Sequence, residues 1–250
     1  MSKFKICEYL RGNTDFYKAR GPITIAIVGD SISQGCFGRG FPNDYNAVYH
    51  NRLRLMFNTK YRTTPVNIIN TAVGGTTAGF ALENFDRDVL CHKPDLVIIC
   101  FGLNDVGGEL DIYLDSLKGL FGKCIDNNFE CIFMTPNMLN TYLHKDTEEQ
   151  HAAYATYTAE IQSGGKMDRF MDAAKELAAS MGIEVCDCYG QWKKMYESGV
   201  DTNLLLINFI NHPTKEMHQL FADMLYETIM EEKYDGESIS CGDGMIKFSK

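Results

Sequence analysis

The chain has 250 residues and a formal net charge of −9, from 24 Lys and Arg against 33 Asp and Glu. A field of that sign repels polyanions and argues against nucleic acid or an anionic membrane as the main partner. Nine cysteines, odd in number and irregular in spacing, read as free thiols of a reducing, cytoplasmic setting rather than a disulfide framework.

In chain order, Met1-Ser2-Lys3-Phe4-Lys5 is not followed by a long apolar stretch, so neither a secretory signal nor a spanning helix is expected. The first buried strand is Ile23–Val28, which runs into Gly29-Asp30-Ser31-Ile32-Ser33-Gln34-Gly35. A helix over about 44–58 leads to a second strand, Pro65–Asn70, and the turn Thr71-Ala72-Val73-Gly74-Gly75-Thr76. After a helix over 78–91, the apolar run Asp95–Phe101 ends in Gly102-Leu103-Asn104-Asp105. A helix over 109–127 precedes a fourth strand, Glu130–Thr135. The polar and aromatic stretch 137–165, with Tyr142, His144, His151, Tyr154 and Tyr157, reads equally as a lid or substrate wall and as a surface helix with flanking loops. The helix over 166–181 has Phe170, Ala173, Ala174, Leu177 and Met181 at helical spacing. Ile183–Cys186 is a short fifth strand. Asn211-His212-Pro213 precedes a last helix over 214–231, and the tail 233–250 shows no pattern.

Strand–helix alternation without a Pro/Ser-rich linker predicts one domain over 1–250, with its core at about 22–230. The fold class is α/β: three α/β/α layers around a central, mainly parallel sheet of about five strands. Ligands of such sheets bind at the carboxyl ends of the strands. Ser31, Gly75 and Asn104 each follow a strand at that end.

A serine hydroxyl needs a base and a rigid, exposed setting to act as a nucleophile, and a strand-end turn supplies the setting. Ser31 could instead cap a short helix, with Asp30 in an Asx turn; Ser33 is the nearby rival. The elbow Gly-x-Ser-x-Gly of α/β-hydrolases is absent. Among six histidines, His212 stands out because Pro213 holds it in an extended loop ahead of the last helix. His218 falls within that helix, and His50, His92, His144 and His151 lack such a neighbourhood. No His-Glu-x-x-His, Cys-x-x-Cys or phosphate-loop pattern is present, so no metal or other cofactor is implied. Cys186-x-Cys188 reads as alternation in or just after a strand.

Serine first, then Gly74-Gly75, Gly102-x-Asn104-Asp105 and finally His212 is an order that resembles the SGNH hydrolases, the GDSL esterase/lipase family. The likeness covers about residues 22–230. It implies a flavodoxin-like fold, Ser31 as nucleophile and His212 as base. It also implies an oxyanion hole made of the backbone N–H groups of Ser31 and Gly75 and the side-chain amide of Asn104, with Asp30 and Asp105 in support. Gly75, five residues after Asn70, fits that element better than Gly74. The family usually places an aspartate three residues before the histidine; here that position is Phe209, flanked by Asn208 and Asn211. Either a backbone carbonyl of the 208–210 segment or Asp201, the nearest upstream carboxylate, is then expected to orient the ring. The resemblance implies a cofactor-free serine esterase acting on carboxylic esters, with a short acyl group such as acetyl on a carbohydrate as preferred substrate. Competing readings are a thioesterase or lysophospholipase using the same residues, and a non-catalytic binding protein on the same fold.

Overall fold

The computed structural model describes residues 3–38 and 43–236; residues 1–2, 39–42 and 237–250, including most of the unpatterned tail, lie outside the described residues. Two short helices open the chain, α1 (Lys5–Leu10) and α2 (Thr14–Arg20). Then follow β1 (Ile23–Gly29), α3 (Ser31–Gln34), α4 (Tyr49–Lys60), β2 (Val66–Asn70), α5 (Ala78–Asp88), β3 (Leu96–Cys100), α6 (Leu110–Asp126) and β4 (Glu130–Met134). The C-terminal part adds α7 (Ala152–Ser163), α8 (Lys166–Ser180), β5 (Glu184–Cys186), α9 (Cys188–Glu197) and α10 (Lys215–Met230).

The five strands form one parallel sheet in the order β2-β1-β3-β4-β5. Strands β1 and β3 are covered on both faces, which is why they are continuous β-branched runs rather than alternating ones. The chain steps from β1 to β2 in one direction and from β2 through β5 in the other. Right-handed crossovers therefore send α4 to one face and α5, α6 and α8 to the opposite face. After β5, α10 returns to pack on α4, and α1 packs on α10. One cluster of buried apolar side chains runs from Phe4 to Met230 through both layers. Among the described residues no helix is long and apolar enough to cross a membrane.

Differences from the sequence reading have local causes. The helix expected over 44–58 begins only at Tyr49. Ahead of it, the Asp44 carboxylate accepts the N–H groups of Asn46 and Ala47 and holds the chain in a turn. The helix expected over 78–91 stops at Asp88 and continues as a separate 3-10 turn, Leu90–His92. Cys188 does not continue a strand: Asp187 accepts the Gly190 N–H and starts α9 there.

The reversal of strand order leaves a crevice at the carboxyl ends of β1 and β3, where open parallel sheets take their ligands.

Candidate active site

The turn after β1 carries Ser31. Asp30 caps α3 by accepting the Ile32 N–H at 3.0 Å, so Ser31 is the first residue inside this one-turn helix and its own N–H has no intrahelical acceptor. Gly29 is required by close packing: a Cβ there would run into the Ser33 side chain and the Cys100 carbonyl of β3. Ser33 points inward, its hydroxyl 2.8 Å from Tyr49 Oη in the core, and does not compete with Ser31 for the crevice.

His212 comes from the loop between α9 and α10. Its Nε2 lies 2.9 Å from Ser31 Oγ, across 181 residues of sequence. Burial pushes its imidazole down to about pKa 4, so the ring is neutral over the physiological range.

Three further donors face the same crevice. Gly75, at φ +78°, has a backbone N–H that meets no protein acceptor among the described residues. The Gly74 N–H is already given to Gln34 Oε1 at 2.7 Å. The Asn104 amide donates one N–H to the Thr76 carbonyl at 2.8 Å, which fixes the side chain and leaves its second N–H unspent. Asp105 does not face the crevice. Its two carboxylate oxygens accept the N–H groups of Ala78 and Gly102, tying the start of α5 to the loop after β3. Burial raises the carboxyl of Asp105 to about 6 and that of Asp30 to about 7, with their mutual repulsion adding to the second.

Neither partner expected for the other ring nitrogen is found. Asp201 is instead capping the 3-10 turn Thr202–Leu205 through the Asn203 N–H, and it accepts Tyr142 Oη–H at 2.6 Å. No carbonyl of 208–210 accepts from the ring. The group facing His212 Nδ1 is the side-chain amide nitrogen of Asn208, at 3.1 Å. Phe209 turns the other way, with φ +55°, and stacks on His144 at 4.1 Å between ring centroids.

Stretch 137–165 forms a wall. Asn137 donates to the Asn211 carbonyl, the Asn140 N–H donates to the Ile210 carbonyl, and Asn203 accepts the Thr141 N–H. These bonds bolt 137–141 to the histidine loop. Beyond them, Asp146, Glu148, Gln150, His151 and Tyr154 line a cavity of about 670 Å³ that opens on Ser31 and His212. The sequence reading did not place Gln34, Asn137 or Asn140 in the site, and it offered Asn208 only through a backbone carbonyl of 208–210, not through its side chain. Asn208 had one signal, its position four residues before His212.

A serine hydroxyl bonded to an imidazole, beside fixed and unspent N–H donors, is equipped for acyl transfer. Residues 27–220 match the sequence profile of the GDSL-like Lipase/Acylhydrolase family. No functionally curated protein matches the sequence. Among solved structures, an acetyl xylan esterase, AlAXEase, superposes with TM-score 0.64 at 19% identity, covering 83% of this chain and 100% of its own. Axe2, an acetylxylan esterase from Geobacillus stearothermophilus, gives 0.63 at 19% identity over 83% and 94% of the two chains. A putative GDSL-like lipase from Parabacteroides merdae gives 0.67 at 18% identity over 83% and 95%. At these identities the likeness is one of fold.

Proposed function

The chain belongs to the GDSL-like lipase/acylhydrolase family, and from that premise we propose that it is a serine esterase removing short acyl groups, acetyl foremost, from a carbohydrate. The observation that carries the reading is the 2.9 Å contact of Ser31 Oγ with His212 Nε2 at the mouth of the cavity. In the reaction, the Ser31 proton passes to Nε2 as Oγ bonds to the acyl carbon. The carbonyl oxygen becomes an oxyanion held by the N–H groups of Ser31 and Gly75 and by the Asn104 amide. Collapse of this intermediate breaks the bond to the leaving alcohol, which takes the proton from His212. Water, deprotonated by His212, then cleaves the acyl-enzyme by the same route.

The carbohydrate preference is supported by the half-exposed Tyr154 ring and the Gln34 and Gln150 amides at the cavity, which suit a pyranose face and its hydroxyls. The fold relatives named as acetyl xylan esterases lend the same support. The eight described cysteines are all free, in keeping with the proposed cytoplasmic location.

The test is hydrolysis of p-nitrophenyl acetate and of acetylated xylo-oligosaccharide by the wild type and Ser31→Ala. Turnover by the wild type well above that of Ser31→Ala is expected. Equal rates would remove Ser31 from the mechanism. Failure of the wild type to take a fluorophosphonate label would favour the non-catalytic reading.

A further inference from the structure

The side chain of Asn208 has all of its hydrogen-bonding capacity engaged. Its Oδ1 accepts three consecutive backbone N–H groups: Ile210 at 3.1 Å, Asn211 at 3.0 Å and His212 at 3.0 Å. Its Nδ2 donates to Asn211 Oδ1 at 2.9 Å and faces His212 Nδ1 at 3.1 Å. An amide can be turned end for end without changing its shape, so its orientation must come from its partners. Here the partners decide it. The reversed amide would set NH2 against three N–H groups and leave three half-buried donors without an acceptor. The nitrogen of Asn208 therefore faces the ring.

An amide nitrogen carries only hydrogens towards its partner, so the ring nitrogen opposite it must accept. With Nδ1 as acceptor, the proton of a neutral imidazole sits on Nε2, and Nε2–H points at Ser31 Oγ. That is the reverse of what a general base needs. To take the serine proton at Nε2, the ring must carry its own proton on Nδ1, where it meets the Asn208 N–H head on. The imidazolium formed during attack has the same conflict. Among the described residues no carboxylate pairs with His212 to relieve it.

We infer that Asn208 is the positioning residue of His212 and that it holds the imidazole in the Nε2–H tautomer, so that the site rests with its base disarmed and turns over slowly. An amide in place of the orienting carboxylate of a serine–histidine site leaves the geometry intact and lowers turnover by about 10⁴-fold through the wrong tautomer. The inference deepens the esterase reading and rests on it only for its kinetic part.

Asn208→Asp reverses the arrangement with little change of shape. One carboxylate oxygen keeps the three backbone N–H groups and the other accepts Nδ1–H. Asn211 can turn its amide to donate, because its nitrogen has no protein partner among the described residues.

The test has two arms. Long-range ¹H–¹⁵N correlation spectra of ¹⁵N-labelled wild type at pH 7, with His212 assigned by the signals lost in His212→Gln, report the tautomer without reference to activity. A protonated Nε2 and a bare Nδ1 are expected; a protonated Nδ1 overturns the inference. In the second arm, Asn208→Asp is expected to move the ring proton to Nδ1 and to raise kcat for p-nitrophenyl acetate by at least about 100-fold, with KM within about threefold. A folded variant with unchanged kcat overturns it as well. Should the variant fail to fold, the wild-type spectrum decides. Should neither protein show Ser31-dependent turnover, the esterase reading falls and the tautomer is still read.

Discussion

Ser31 and His212 meet in one hydrogen bond, but the two are held in place by different parts of the chain. The serine turn is fixed by main chain: it leaves the central strand β1, packs through Gly29 against β3, and closes with Gln34 N–H to the Asp30 carbonyl and Cys36 N–H to the Ser31 carbonyl. The histidine loop adds no strand to the sheet. It has main-chain ties in the bridge between Leu206 and Pro213, in Phe209 N–H to the Leu206 carbonyl and in Asn140 N–H to the Ile210 carbonyl. But the turn that carries His212 is gathered around side-chain amides, with Asn208 taking three of its N–H groups and Asn137 one of its carbonyls. A turn held by backbone geometry keeps its nucleophile in place whatever its neighbours become. A loop held by side chains can change the chemistry of its histidine through one substitution while leaving its position alone.

The largest effect follows from removing the nucleophile in two backgrounds. Loss of serine from a fully armed site costs on the order of 10⁶-fold in kcat, and a wrong-tautomer base has already forfeited about 10⁴-fold of it. Ser31→Ala is thus expected to lower turnover by only about 10²-fold in the wild type. In the Asn208→Asp background the same change should cost more, by the factor that Asn208→Asp itself gains. Steady-state kinetics on the four proteins of this cycle give the coupling directly, and additive losses would show that Asn208 does not act through the base. Below the loss of Ser31 in the Asn208→Asp background comes the oxyanion hole. Asn104→Ala removes one donor and is expected to cost about 10²–10³-fold in kcat in either background, because that donor is anchored to Thr76 and not to the histidine loop.

The same contrast explains what could be read in the sequence. Strands β1 and β3 are covered on both faces and leave unbroken apolar runs, so the ends that carry Ser31 and Asn104 are visible without a structure. Helices α6, α8 and α10 span four or more turns, long enough for their buried stripes to show. Six-residue α1 and seven-residue α2 are too short for a 3.6-residue period, and α9 follows β5 so closely that its first cysteine looks like strand alternation. At the histidine loop the sequence pattern led to Phe209 and, from there, to Asp201 or a carbonyl. The left-handed backbone of Phe209 sends that side chain to His144 and brings the preceding residue under the ring. A one-residue displacement of this kind leaves no mark in periodicity or composition.

The main-chain turn carries a cost of its own, and pH exposes it. Asp30 is buried and its carboxyl is raised to about 7, so between pH 4 and 7 the folded chain holds a proton that the unfolded chain has released. Its contribution is therefore present at low pH and lost as pH rises through 7. Asparagine keeps the cap on Ile32 N–H and has no charge to bury. Asp30→Asn is expected to gain about 2 kcal/mol on the wild type between pH 5 and pH 8, read by denaturant unfolding at both values. The buried His50 and His212 work with the opposite sign. Both are lowered to about 4, so they favour folding above pH 6.5 and withdraw that support as pH falls towards 4. A gain for Asp30→Asn that is the same at both pH values would show that Asp30 titrates normally.

The smallest effects are expected where sequence pattern would place the missing acid. Asp201 is committed to the Tyr142 hydroxyl and to the cap of its own 3-10 turn, and makes no hydrogen bond to the ring. Asp201→Asn keeps an acceptor for both groups, so kcat for p-nitrophenyl acetate should stay within about twofold and the His212 tautomer should not change. Phe209→Asp restores the family's spacing on paper, yet it places the carboxylate beside His144 and leaves the Asn208 amide against Nδ1. No activation is expected from it, while Asn208→Asp, one residue earlier, activates. Activation by Phe209→Asp, or a large loss from Asp201→Asn, would mean that the loop re-forms around a carboxylate. In that case the position of His212 would be as plastic as its tautomer, and the division between a backbone-held serine and a side-chain-held base would extend to geometry as well as to proton placement.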